Sequence, residues 1–284
     1  VPFSRLVAFG WSLAVAGVFA LLAVPTPAHA QGKLEARYVA KLAGIPIGKG
    51  VWQVVIAEDQ YTASADGGTT GLLKAFQSGA GKSAARGKVN GGQLVSASYA
   101  ASIVAGKRTD DVRIALASGA VKEYSVLPEP SPNPSRVPLT EANRKGVTDP
   151  MTAALIRVPG SSDPVNAEAC RSAIPVFDGQ IRYDLKLEFK RIDRIKVESG
   201  YQGEVVVCAV QFAPVAGHDP TRGAIKYLMA QRNMEAWLAP IAGTRVLAPI
   251  RVVVPTPLGT GVLEATHFHT TAQPTAPANG GKPQ

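Results

Sequence analysis

Between Ile181 and Lys190 the chain alternates without a break. Ile181, Tyr183, Leu185, Leu187 and Phe189 stand against Arg182, Asp184, Lys186, Glu188 and Lys190. Successive side chains of a strand point to opposite faces, whereas a helix would smear these apolar residues around its circumference. The stretch is therefore a half-buried strand with one wet face. Leu34, Ala36, Tyr38, Ala40 and Leu42 repeat the period, with Lys33, Glu35, Arg37 and Lys41 opposite. Further strand-like runs fall at 51–57, 60–65, 78–88, 93–104, 108–117, 120–127, 195–198, 204–212, 233–238, 246–254 and 261–269. Asn90-Gly91 and Ser118-Gly119 lie between runs and suit tight hairpins, whose central residues need positive φ. So many short strands predict an all-β fold with minor helix. The expected form is a large curved antiparallel sheet or partial β-barrel with one or two short helices.

Helical pattern is sparse. One short segment spans 69–76, and a second opens with Asp149 as N-cap and Pro150 in the first helical position. Residues 222–231 fit helix and strand equally. Five prolines between Leu127 and Leu139 make a stiff, extended connection crossing between two runs of strands. No period of 20–50 residues recurs, which excludes a propeller or solenoid.

The first thirty residues carry one charge, Arg5, followed by an apolar run from Leu6 to Val24, Pro25, Pro27 and the small-x-small pattern Ala28-His29-Ala30. This predicts a signal peptide over 1–30, cleaved after Ala30, with a retained membrane anchor as the alternative. A single β-rich exported domain is expected over 31–270, and a disordered Pro/Ala/Gly-rich tail over 271–284. The expected destination is the periplasm, with no stable transmembrane anchor once the leader is removed. Cys170 and Cys208, an even pair in an exported chain, are expected to form a disulfide, the alternative being two buried free thiols. Closing that loop would stabilise the fold by about 3–4 kcal/mol.

The chemistry-bearing residues argue against catalysis. There is no G-x-S-x-G nucleophile elbow and no paired Cys/His motif. Gly79-Ala80-Gly81-Lys82-Ser83 mimics the end of a phosphate loop, but Phe76 occupies the position of the required first glycine. His267 and His269 share one strand face and are a weak metal candidate lacking a third ligand; a surface pair is expected, with no metal and no cofactor. The chain carries a net charge of +9, and the stretch from Lys74 to Lys122 holds eight basic residues against two acidic ones. Anionic headgroups or acidic envelope polymers would meet such a surface, and protection of sheet edges by lysine explains it equally. Export and an aromatic content of 6% exclude nucleic acid as a partner. The same stretch is dense in Ala, Gly and Ser, so its sheet is expected to leave its concave side underfilled, as an apolar groove or as a closely packed layer.

The chain also resembles a known family. Tyr38 followed by Gly44-Ile45-Pro46-Ile47-Gly48, then Asp149-Pro150, then Val176-Phe177-Asp178-Gly179 with Tyr183, is similar to the family called domain of unknown function 3108. Cys208, Trp237 and Pro249-Ile250-Arg251 followed by Gly259 extend the resemblance across Leu34 to His269. The resemblance implies an exported, β-rich bacterial protein and supplies no catalytic residues. At the matching positions, Gly44 to Gly48 suit a turn between the first two strands. Tyr38, Tyr183 and Trp237 are expected in the core or on a groove wall. Arg251, in an apolar strand, needs a partner if it points inward, either Asp178 or an anionic group of a ligand; a solvated edge position is the alternative. Asp178, in Asp178-Gly179, is otherwise a turn residue.

The expected function is non-catalytic binding of an apolar or amphipathic cell-envelope component, a lipid or lipoprotein chain. The alternative is a structural or assembly partner that docks envelope protein or polysaccharide through a sheet edge. A metal-dependent envelope hydrolase using His267 and His269 ranks third.

Overall fold

In the computed structural model, which describes residues 31–71 and 78–273, the alternating runs pair into one continuous and almost wholly antiparallel sheet. The leader, most of the 69–76 helix and the tail from 274 onward lie outside the described residues. The first half is a meander of β1 (Gly32–Leu42), β2 (Ile45–Ile56), β3 (Gln60–Thr69), β4 (Gly79–Asn90), β5 (Gln93–Ala105), β6 (Arg108–Ala117) and β7 (Ala120–Leu127). The second half contains β8 (Ile156–Arg157), β9 (Ser172–Phe177), β10 (Arg182–Lys196), β11 (Ser199–Gly200), β12 (Gln202–Ala216), β13 (Met234–Pro240), β14 (Val246–Thr256) and β15 (Gly259–Ala272). Two short α-helices, α1 (Pro150–Ala153) and α2 (Gly223–Ala230), interrupt it. The strand order is β7-β6-β5-β4-β3-β2-β1-β15-β14-β13-β12-β10-β9, so β15 returns to pair with β1 and joins the halves. Residues 222–231, ambiguous by pattern, are helical over α2.

Tight turns follow the positive-φ rule. Ala43-Gly44, Gly91-Gly92 and Ser118-Gly119 all have left-handed φ, the requirement of a two-residue hairpin that matches the sheet twist; the second turn centres one residue later than the expected Asn90-Gly91, because Asn90 pairs with Gln93. The first of these corrects the longer turn expected over Gly44 to Gly48. Ile45 already pairs with Leu42 and Pro46 with Lys41, and the register slips between Ala40 and Lys41, a bulge that absorbs Ile47. At the other terminus, Thr271 and Ala272 pair with Lys33 and Gly32, so β15 runs further than the tail boundary expected at 271.

The two edge strands, β7 and β9, do not hydrogen-bond to each other, and the sheet stays open. The segment 145–148 spans the gap. Val147 N–H donates to Gly119 O at 2.9 Å, Thr148 N–H donates to Pro175 O at 2.9 Å, and Phe177 N–H returns a bond to Thr148 O at 2.9 Å. Tyr124 of β7 meets Phe177 of β9 edge-on, with ring centroids 5.3 Å apart. The sheet is therefore curled so that a short strap bridges its two edges while the sheet itself stays open, a large curved antiparallel sheet as expected.

Three apolar clusters fill the fold. The largest joins Leu34, Val54 and Ile56 to Val205, Ile250 and Phe268. Here β14 parts from β15: their pairing runs only from Arg251 to Thr256, while Val246–Pro249 pair with β13 and β8, and Val246, Leu247, Ala248 and Ile250 are buried. A second cluster gathers Ile156, Val158, Leu238 and Leu247 around the Cys170–Cys208 disulfide, whose Cα atoms lie 5.4 Å apart. The third, Ile114, Leu116, Val147 and Phe177, packs beneath the strap. The disulfide suits an oxidising, extracytoplasmic setting.

Candidate functional site

The site is built around α1, held inside the curl by a buried carboxylate. Asp149 is fully buried. Its Oδ1 accepts from Met151 N–H and Thr152 N–H, both at 2.9 Å, the bonds of an N-cap. Its Oδ2 accepts from the hydroxyls of Ser96 and Thr152, both at 2.6 Å. With the Thr152 hydrogen committed to Asp149, Tyr61 OH donates to Thr152 Oγ1 at 2.6 Å. By the same count Thr148 donates to Ser96 Oγ, also at 2.6 Å. Strands β3 and β5 thus grip both the strap and α1 through one proton-ordered network. Burial is the first cause that pushes Tyr61 and Tyr99 up to about 12, with the negative charge of Asp149 adding to it.

Two largely apolar cavities flank α1, the larger with Asp66 and Lys82 in its lining. One, of about 490 Å³, lies between the helix and the small-residue strands. Tyr38, Trp52 and Tyr99 form its walls, Gly50, Ala65 and Gly81 contribute the small side, and Met151 and Ala154 close it from the helix. The other, of about 300 Å³, is bounded by Leu185, Leu187, Val210 and Phe212 of β10 and β12, by Val252 and Val254 of β14, and by Leu228 of α2. Glu235 is its one charged lining residue. The two cavities share Ala154 and Pro249 and form adjoining chambers. Their sizes fall in the range of small-ligand pockets, roughly 300–1,000 Å³. The larger chamber draws Gly81 and Ala101 from the Lys74–Lys122 stretch and Gly50 and Ala65 from β2 and β3.

The residues singled out from sequence divide between the chamber walls, the 178–181 turn and positions outside the chambers. Tyr38 is buried in the larger chamber's wall and donates its hydroxyl to Pro249 O at 2.7 Å; burial raises its pKa. Tyr183 packs against Phe212, a wall of the smaller chamber, with centroids 5.2 Å apart. Burial, then the charge of Asp178, raises its pKa as well. Asp178 holds its own turn, accepting from Gln180 N–H at 2.8 Å and Ile181 N–H at 2.7 Å. Burial raises its pKa, and these bonds oppose the rise.

Trp237 and Arg251 stand apart from the chambers. They pair across β13 and β14 and line neither chamber, although their strand neighbours Glu235, Ala236, Val252 and Val253 line the smaller one. The Trp237 ring lies between two guanidinium groups, Arg191 at 5.0 Å and Arg251 at 5.2 Å from its centroid. Its Nε1–H donates to Glu235 at 2.9 Å. Burial disfavours the Glu235 charge, but bonds from Lys190, Trp237 and Arg191 outweigh it and hold the pKa at about 2. Arg251 therefore stacks on Trp237, and no ion pair joins it to Asp178.

His267 and His269 face outward with ring centroids 6.3 Å apart, and His267 Nδ1 meets Ser199 Oγ at 3.0 Å. Among the described residues no group of three or more His, Cys, Asp or Glu is placed to hold a metal ion. Sequence patterning missed the Ser96 and Thr152 contacts to Asp149 and the chamber wall offered by α2. The Asp149-Pro150 cap was the one local signal of the first.

Comparison with known proteins adds the family. The family model described as protein of unknown function (DUF3108) matches residues 37–266. Among solved structures, the chain is similar to a β-barrel-like protein of the domain of unknown function DUF1849 from Brucella abortus. That match has 8% identity and a TM-score of 0.45, covering 86% of this chain and 98% of that one. It is also similar to a candidate lipoprotein from Parabacteroides distasonis, at 9% identity and a TM-score of 0.30, covering 84% and 96%. A search of curated proteins gives no match.

Proposed function

The chain belongs to the DUF3108 family of proteins of unknown function, and from that premise we propose that it is a non-catalytic periplasmic protein that binds an apolar or amphipathic envelope component, a lipid or lipoprotein chain. The observation that carries this reading is the smaller chamber. Its walls are aliphatic and aromatic, and the carboxylate of its one charged residue is engaged by Lys190, Arg191 and Trp237. A space of that kind excludes polar substrates, because desolvating a polar group without a partner costs about 1–3 kcal/mol. An alkyl chain gains instead, about 0.8 kcal/mol for each methylene buried. The larger chamber, with the Tyr38 and Tyr99 rings in its wall, receives the more polar end of an amphipathic chain.

The Cys170–Cys208 bond supports an exported destination. Among the described residues no helix is long and apolar enough to cross a membrane. Docking through a sheet edge has less room, since 145–148 occupies the gap between β7 and β9.

Displacement of a fluorescent fatty acid tests the reading. The purified protein is expected to take up the probe, and Val210→Trp, which fills the smaller chamber, is expected to lower uptake about tenfold or more while leaving the melting temperature within a few degrees. Absence of uptake by the unaltered protein, or undiminished uptake by a folded Val210→Trp, rejects it.

A further inference from the structure

Antiparallel pairing gives the strand ladder two ends, each with its own set of connections. One end carries the turns at 43–44, 106–107 and 257–258 together with the 217–233 connection that contains α2. The other carries the turns at 57–59, 91–92 and 118–119 and the connections at 197–201 and 241–245. The large apolar side chains left in solvent are not shared evenly. Ile45, Val104, Leu127, Val215, Met229 and Leu258 all sit at the first end, Ile45 and Leu127 at 60% exposure and Leu258 at 78%. None of the connections at the second end has one, and its 57–59 turn carries Glu58-Asp59. Single exposed apolar residues are ordinary, but six gathered at one end mark a contact surface.

Helix α2 shows what that surface meets. Its eight residues include one charge, Lys226, yet none of the eight is buried. Arg222 precedes it, and Arg232 follows, donating to Met229 O at 2.8 Å. No Asp or Glu falls between 220 and 234. The exposed Lys107 adds a further cation at this end. Asp219 acts on Arg222 in the same connection and Asp110 pairs with Arg108 beside the 106–107 turn, yet with Lys107, Lys226 and Arg232 the cations remain in excess around α2 and these turns. Apolar side chains beside such an excess complement an anionic lipid surface: the apolar groups enter the headgroup boundary and each cation adds about 1 kcal/mol near the lipid charge. A protein partner would have its own hydrogen-bonding demands, and α2 presents few side chains to meet them.

We propose that this end of the sheet docks on an anionic lipid bilayer, with Met229 of α2 and the turns bearing Ile45 and Leu258 as the inserted groups and Arg222, Lys226 and Arg232 as the charge contacts. The surface rests on exposure and charge alone and does not require that the chambers hold a chain. Leu228 of the same helix walls the smaller chamber, so docking would bring that chamber to the membrane.

Flotation with vesicles tests the proposal. The purified protein is expected to float with vesicles of phosphatidylglycerol and phosphatidylcholine, to float less as salt rises, and to stay behind with phosphatidylcholine alone. Combining Ile45→Ser, Met229→Ser and Leu258→Ser is expected to cut the bound fraction about tenfold. Combining Arg222→Gln, Lys226→Gln and Arg232→Gln is expected to abolish the salt dependence, and it decides the matter if the first variant misfolds. No binding to the anionic vesicles, or binding by the charge variant equal to that of the unaltered protein, overturns the proposal. Fatty-acid uptake without flotation removes the docking surface and spares the chambers; flotation without uptake does the reverse.

Discussion

At one end of the strand ladder Leu34, Ile56, Val205 and Phe268 are sealed from solvent, and four bonds to Asp149 together with Tyr61–Thr152, all of 2.6–2.9 Å, tie α1 to β3 and β5. At the other end Ile45, Leu127 and Leu258 stand in solvent, and the interior behind them is occupied by two chambers rather than by side chains. The same sheet supplies both. What differs is side-chain size and where β14 leaves β15. Bulky aliphatic residues and the departing Val246–Ile250 segment fill the first end, whereas Gly50, Ala65 and Gly81 leave the second underfilled. Packing is complete at the first end and leaves space at the second.

The largest effect expected of this contrast is at Phe268. Phe268→Ala removes a fully buried ring from the packed end, and should cost about 3–5 kcal/mol in a denaturant titration. A cost under about 1 kcal/mol would mean that the two ends are not differently packed. Next comes Asp149→Ala, which deletes the cap and strands the Ser96 and Thr152 hydroxyls. A loss of about 2–3 kcal/mol is expected in the same titration.

Alkali sharpens the comparison further. Tyr61 and Tyr99 hold pKa values raised to about 12 by burial, above the value of about 10 for an unfolded tyrosine. The native state thus retains these protons where the unfolded chain has lost them. Their contribution is fully present below pH about 10 and is lost as pH rises towards 12. Phenolate absorbance followed alongside circular dichroism should show these tyrosines ionising only as the fold is lost; ionisation near pH 10 with the fold intact would contradict their burial. The smallest effect is at the open end, where Leu258→Ser should change stability by less than about 0.5 kcal/mol. A larger loss in thermal melting would place Leu258 in the core.

Legibility in the sequence followed the range of the interactions. Strand β10 could be read directly, because its alternation is local and needs no knowledge of the partner strand. The Asp149 cap was readable for the same reason, but its bond to Ser96 crosses 53 positions and leaves no local trace. Ile45 to Gly48 looked like a turn because Gly and Pro punctuate chains, yet a bulge opposite Ala40 and Lys41 carries them within a strand. Trp237 and Arg251 matched the family's pattern as Tyr38 did, yet they stack on each other and line neither chamber, which no local pattern shows. Helix α2 carries an apolar run whose period suits helix and strand alike, and its role depends on the cavity beneath it.

The central claim is that the chambers are occupied in the cell by an apolar chain. Native mass spectrometry of the protein purified from the bacterial envelope addresses it most directly. The account predicts a population carrying added mass that organic extraction removes and identifies as a lipid or acylated species. A single ligand-free mass, from protein that also fails to take up fatty acid, would contradict it.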